Sequence, residues 1–195
     1  MNRVVFLDRD GTINVDKNYV HSVEQFEYEK GAVEGMRLLN DAGLKIIIVT
    51  NQSGIARGYF TEEEYVDFNN WIVDDLRSRN VEILDSYYCP HLPDADIIKY
   101  RVLCNCRKPA TGLYWRAQKE HDIDMDNSFA VGDNLRDLYI CNESNVKGYW
   151  ITGDSQSEVS CGKGVHKCTS LYDAALQIRY MSVSYTHLTL PTTER

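Results

Sequence analysis

The stretch Leu44-Lys45-Ile46-Ile47-Ile48-Val49 constrains this chain more than any other. It is β-branched and almost continuously apolar, so it suits a strand covered on both faces, as in a parallel sheet. Val4 to Leu7 is a second such run, and Ile83 to Tyr88, Ser128 to Val131 and Lys147 to Ile151 are weaker ones. Helical patterns lie between them. Val33, Met36 and Leu39 recur at threes before Gly43, which reads as a helix stop. Thr61-Glu62-Glu63-Glu64 carries a capping box, and behind it Tyr65, Phe68, Ile72 and Leu76 share one apolar face. Further helices are expected at 111–121, 134–144 and 170–180. The alternation predicts an α/β fold with a doubly wound parallel sheet, in one domain spanning 1–181.

The whole chain, at 195 residues and 43% hydrophobic, can bury a core without staples. Its 21 basic and 29 acidic residues leave a net charge of −8, which argues against a nucleic-acid partner. No apolar run approaches the roughly 18–20 residues of a membrane span, and the N-terminus meets Asp8 too early for a secretory signal. A cytoplasmic protein with no membrane partner is expected, so its six cysteines should be thiols or metal ligands. With no heptad or long apolar stripe, a monomer is expected. The Gly/Ser-rich stretch 153–164 reads as a surface loop. Residues 182–195 are set aside from the fold: from Val183 onward they carry four threonines and no pattern that joins a core. They resemble a translated adapter sequence, a disordered native tail being the milder alternative.

Open α/β sheets bind ligands beyond the carboxyl ends of their strands. The first strand is followed by Asp8-Arg9-Asp10-Gly11-Thr12, the second by Thr50-Asn51-Gln52-Ser53-Gly54 and the fourth by Gly132-Asp133-Asn134; Arg107-Lys108-Pro109 precede a helix. Each piece has a task in phosphoryl transfer. A carboxylate can attack phosphorus, and a second one two residues later can protonate the leaving oxygen and then activate water. Crowded carboxylates need an oxygen-loving cation such as Mg²⁺, which Asp8 and Asp133 are suited to hold. Thr50, Lys108 and backbone amides would neutralise the phosphoryl oxygens. Singly these signals are weak: Asp-x-Asp is more often a solvated turn, and Lys108 alone an ordinary surface lysine. Their order along the chain carries the inference.

Cys89-Pro90-His91 is followed, after 12 residues, by Cys104-Asn105-Cys106. Three thiolates and an imidazole make a closed tetrahedral Zn²⁺ set, structural because no position stays open. The alternatives are a free cysteine cluster or a Cys104–Cys106 redox pair. Zinc would order a loop, 89–106, that has few core-forming residues, and would aim the adjacent Arg107 and Lys108. Cys141 reads as core. Cys161 and Cys168 flank a loop, and His21, His121 and His166 read as surface or satisfied histidines.

The order Asp8-Arg9-Asp10-Gly11-Thr12, Thr50-Asn51, Lys108-Pro109, Gly132-Asp133 resembles the four motifs of the haloacid-dehalogenase-like (HAD) phosphatases. That resemblance implies Asp8 as nucleophile, Asp10 as general acid/base, Thr50 and Lys108 as phosphate binders, and Mg²⁺ held by Asp8, Asp133 and the backbone carbonyl of Asp10. Only 39 residues separate Asp10 from Thr50, leaving no room for a cap domain. Over residues 1 to about 180 the chain is similar to the D-glycero-D-manno-heptose 1,7-bisphosphate 7-phosphatases of the histidinol-phosphatase-like group. In them the stretches matching Asp16, Lys17, Asn18 and Tyr19, Thr50, Asn51, Gln52 and Ser53, and Arg107 and Lys108 touch substrate, a small phosphorylated sugar. Lys108 would sit at the reacting phosphate and Arg107 would clamp the ligand elsewhere. For Arg57 a surface ion pair is as good a reading as a substrate contact, and Tyr19 is equally a packing residue. Where the family often has lysine after the metal-binding aspartate, this chain has Asn134. Asp137 fits an acid supporting the metal site, or a simple helix-start acid.

Three rivals stand beside this reading. Histidinol-phosphate phosphatases share the zinc loop. A phospho-accepting receiver shares the acid–Thr–Lys set but places its accepting aspartate after the third strand. A zinc-stabilised scaffold would have no use for so much charge at one edge.

Overall fold

The computed structural model describes residues 1–153 and 164–186, with side chains through Met181. Cys161, most of the expected 153–164 loop and residues 187–195 of the expected tail lie outside the described residues. Six strands run parallel: β1 (Val4–Leu7), β2 (Lys45–Asn51), β3 (Ile83–Cys89), β4 (Phe129–Gly132), β5 (Lys147–Ile151) and β6 (Val165–Cys168). Their order across the sheet is β3-β2-β1-β4-β5-β6. The apolar run in β2 has the reason anticipated from its composition, because successive side chains point to opposite faces and both are covered. Ile46 and Ile48 join Val5, Leu7 and Val131 in one core with Met36, Leu39, Phe68, Ile72 and Ile178. Ile47 and Val49 join Val4, Phe6 and Ala130 in a second core with Leu113, Tyr114, Ala117 and Leu138.

The helices supply those covers. α1 (Ala32–Asp41) stops short of Gly43, whose φ of +75° lets Leu44 N donate back to Leu39 O at 3.1 Å. α2 (Ser53–Ala56) is one short turn directly after β2. α3 (Glu62–Ser78) opens on the expected capping box: Glu64 N donates to Thr61 Oγ1 at 3.1 Å and Thr61 N to Glu64 Oε2 at 2.6 Å. α4 (Gly112–His121) follows the Lys108 loop, and α5 (Leu171–Thr186) continues past residue 181. The helix expected over 134–144 is a 3₁₀ segment, Leu135–Asn142. β6 and α2 were not anticipated, since four residues are too few to show a period. The 89–106 loop also departs from expectation. Leu92, Ala95 and Tyr100 are buried with Ile55, Ala56, Phe60 and Tyr65 in a third, smaller core, so this loop carries packing of its own.

The strand order reverses at β1. The chain builds outward through β2 and β3, then returns to β1's other side with β4. The crevice beyond the carboxyl ends of β1, β2 and β4 is therefore where a ligand can enter.

Candidate active site

Asp8 is the first residue beyond β1, and Lys108 reaches it from the loop that opens α4. Lys108 is 2% exposed and Asp8 7%. The ammonium donates to Asp8 Oδ1 at 2.8 Å and to Val49 O at 2.7 Å, and lies 2.8 Å from Asp137 Oδ1. Burial pushes the Asp8 carboxyl up to about 7. The lysine pulls the other way, and the charges of Asp137 and Asp10 add to the rise. Burial would lower the Lys108 pKa, but the charges of Asp8 and Asp137 outweigh it and hold the ammonium above its ordinary value. One cation thus serves two buried acids.

Asp10 is gripped from three sides. Arg9 Nη2 donates to it at 2.9 Å, Asn14 Nδ2 at 2.9 Å and Gln52 Nε2 at 3.0 Å. Arg9 is fully buried, lies 5.7 Å and 5.5 Å from the ring centroids of Tyr65 and Phe68, and also donates to Val20 O at 2.7 Å. Gln52 Nε2 donates as well to Thr50 Oγ1 at 2.9 Å, so one amide sets both the acid and the hydroxyl. Asn51 clamps the backbone of Lys108: its Nδ2 donates to Lys108 O at 3.1 Å, and Lys108 N donates to its Oδ1 at 3.0 Å. Arg9 and Asn14 were given no role from sequence. The available signal was an arginine held between two aspartates at the end of a buried strand, a place where charge survives only when paired.

The carboxylates of Asp8, Asp133 and Asp137 offer oxygens within 4.8 Å of one another. Burial first, and the Asp137 charge second, push Asp133 up to about 6. A hard, oxygen-bound divalent cation suits such a set, and would relieve the repulsion that adds to the effect of burial at both groups. Asp137 is the least free of the three, since its Oδ2 accepts from Asn134 N at 3.0 Å. The helix-start cap anticipated for it is therefore present, and its Oδ1 also lies 2.8 Å from Lys108 Nζ. Gly11, at φ +79°, seats the first loop directly against Asp133, where a β-carbon would collide with Oδ2.

Cys89, His91, Cys104 and Cys106 form a second set within the same limit. The sulfur–sulfur separations are 3.1, 3.2 and 3.6 Å, and His91 Nδ1 lies 3.2 Å from Cys106 Sγ and 3.8 Å from Cys89 Sγ. Zinc bound about 2.3 Å from each sulfur gives sulfur–sulfur edges of about 3.8 Å, so the donor types suit that ion while the sulfurs stand closer together than it would hold them.

A cavity of about 300 Å³ is lined by Asp10, Asp16, Asn18, Tyr19, Asn51, Gln52, Ser53, Arg57, Arg107 and Arg136, and so meets the buried acids through Asp10 and through Arg136 beside Asp137. Arg107 Nη1 donates to His91 O at 3.2 Å, tying this mouth to the cysteine loop. Asn18 and Tyr19 hold consecutive left-handed backbones, φ +61° and +58°, an uncommon state for tyrosine. Tyr19 packs edge-on against Tyr59, with ring centroids 4.8 Å apart. Lys17 alone of the expected substrate-contacting stretch is drawn off, its ammonium 2.8 Å from Glu27 Oε2. His21 and His121 are satisfied locally, by Tyr19 O and by Asp85, each at 2.7 Å.

Comparison with known proteins bears on this arrangement. The family model described as polynucleotide kinase 3 phosphatase matches residues 3–157. A D-glycero-alpha-D-manno-heptose-1,7-bisphosphate 7-phosphatase from Photorhabdus laumondii is 40% identical over 158 residues, 80% of this chain and 86% of the relative. The chain belongs to the heptose-bisphosphate phosphatase family of HAD enzymes. It is thus a phosphatase, a hydrolase of phosphomonoesters. A second member of this family from the same organism, named for the beta anomer, is 48% identical over 134 residues, 69% of this chain and 71% of the relative. The crystal structure of the D,D-heptose 1,7-bisphosphate phosphatase from B. bronchiseptica, complexed with magnesium and phosphate, matches with a TM-score of 0.79 and 27% identity, covering 92% of this chain and 99% of that one. The HAD assignment fits the parallel sheet, and among the described residues no separate domain covers the cavity. No described helix is long and apolar enough to cross a membrane.

Proposed function

We propose that this phosphatase removes the 7-phosphate of D-glycero-D-manno-heptose 1,7-bisphosphate, in the supply of nucleotide-activated heptose for glycans. It would act in the cytoplasm as a monomer, without nucleic acid or membrane. Its catalytic domain would be residues 1–181. The observation that most supports the reading is the buried Asp8–Lys108–Asp137 cluster beneath the arginine-lined mouth, with Asp10 held beside it. An Asp8 oxygen attacks phosphorus, and Asp10 protonates the departing sugar oxygen. The aspartyl phosphate on Asp8 is then hydrolysed as Asp10, now ionised, takes the proton of the attacking water. Lys108 and the Thr50 hydroxyl offset the charge on the phosphoryl oxygens, while Asn51 and Gln52 keep those two groups in place. Arg107 clamps the other end of the bisphosphate, and Asp16, Asn18, Tyr19 and Ser53 shape the rim around the sugar.

Asp8, Asp133 and the Asp10 carbonyl would hold Mg²⁺, which when bound neutralises the carboxylates and polarises the phosphate. Cys89, His91, Cys104 and Cys106 would hold Zn²⁺, which orders the loop carrying His91 O and, through it, Arg107. The test is phosphate release, with magnesium and zinc quantified, from both anomers of heptose 1,7-bisphosphate, from heptose 7-phosphate and from histidinol phosphate. A preference for heptose bisphosphate is expected; a preference for histidinol phosphate would overturn the assignment.

A further inference from the structure

Three arginines, Arg57, Arg107 and Arg136, line one small mouth, while the buried acids below have their own cation in Lys108. With Asp10 and Asp16 also on its lining, the mouth keeps an excess of one positive charge apart from Lys108. Arg57 Nε is buried without a hydrogen-bond partner, so the side chain reaches the mouth through its other atoms. Arg136 comes from the start of the 3₁₀ segment after β4, across from the loop that carries Arg57. Its Nε lies 3.9 Å from Asp137 Oδ1, close enough for attraction but too far for a hydrogen bond, so its donors remain available to a ligand. Asn134, the polar residue nearer the metal-binding aspartate, is committed elsewhere: its Oδ1 accepts from Arg136 N at 3.2 Å to cap the segment.

Resting on the bisphosphate reading above, we propose that Arg136 is a specificity-determining residue that, beside Arg107, binds the non-reacting phosphate of the substrate. Asp137 orients it from below. Asn134 carries no charge, whereas Arg136, two residues later, brings a guanidinium to the mouth. A planar guanidinium suits the task because it can present two parallel donors to phosphate.

The experiment compares kcat/KM for heptose 1,7-bisphosphate with that for heptose 7-phosphate, in the full chain and its variants. Arg136→Gln should lower the bisphosphate-to-monophosphate ratio about 10- to 100-fold, the loss of one or two charge-assisted hydrogen bonds, chiefly through KM for the bisphosphate. Arg136→Lys should recover part of the ratio. A ratio unchanged in Arg136→Gln, or equal losses on both substrates, would overturn the proposal, because a merely structural arginine affects both alike. Should the wild-type chain ignore the heptose pair, the heptose assignment falls by itself, and the ratio is then read on fructose 1,6-bisphosphate against fructose 6-phosphate. A wild-type enzyme with no bisphosphate preference in either pair would also overturn the role of Arg136.

Discussion

Asp8 and Asp10 are two residues apart, yet their surroundings differ sharply. Asp8 shares a buried ammonium with Asp137, whereas Asp10 is held by an arginine and two amides. Replacing Asp8 with Asn should reduce phosphate release to background, since an amide cannot attack phosphorus. Asp10→Asn should slow turnover about 10²- to 10⁴-fold, the usual range for a general acid/base. A rate within threefold of wild type in either variant would refute the assigned role. A pH effect follows from burial. The folded protein raises Asp8 from 3.8 to about 7, so ionisation of this group opposes folding. Any stability it contributes is complete below the unfolded value and is lost as pH climbs through the folded one. Lys108 titrates only above its ordinary range, outside that window. In metal-free protein, Asp8→Asn, which cannot ionise, should therefore gain stability relative to wild type between pH 4 and 7. A difference in Tm that stays flat across that interval would contradict it.

At the level of elements, α3 and the cysteine loop illustrate local and non-local stabilisation. The capping box at Thr61 is complete, so Thr61→Ala should cost about 1 kcal/mol in chemical denaturation and leave the rate unaffected. The cysteine loop has its own small core around Leu92, Ala95 and Tyr100, and the Tyr100 ring lies 6.4 Å from that of His91, while Cys89 belongs to the second core. Removing zinc with a chelator, or Cys104→Ser, should lower Tm and raise KM through the His91–Arg107 tether, with a smaller change in kcat. Unaltered Tm, KM and metal content would show that the loop stands without the ion.

For the whole molecule, the reversal of strand order at β1 decides where chemistry can occur. It brings together residues 8–10, 50–52, 108 and 133–137 at one crevice, although they span most of the described chain. Each of the two main cores covers one face of the sheet and draws on several helices, so the sheet and its covers should unfold as one unit. α5 contributes Leu171, Ala174, Ala175 and Ile178 to the first core, and all four precede residue 181. A chain ending at Met181 should therefore keep the wild-type rate and a Tm within a few degrees; loss of soluble protein on that truncation would move the domain boundary outward.

The central strands, the capping box and the four phosphatase motifs were legible in the amino-acid order because each rests on local chemistry: β-branched runs, a Thr-x-x-Glu spacing, an acid directly after a strand. The Cys-x-His and Cys-x-Cys pairs were legible as a candidate donor set for the same reason, and the fold brings their donor atoms within 4.8 Å of one another. Other features depend on distance in space and left no local trace. The burial of Arg9 against Tyr65 and Phe68, Asp137 sharing Lys108 with Asp8, the small core inside the cysteine loop and the approach of Arg136 to the mouth all require segments far apart in the chain to meet. Charge pairing inside a folded core is set by three-dimensional proximity, and only the packed sheet with its reversed strand order creates it.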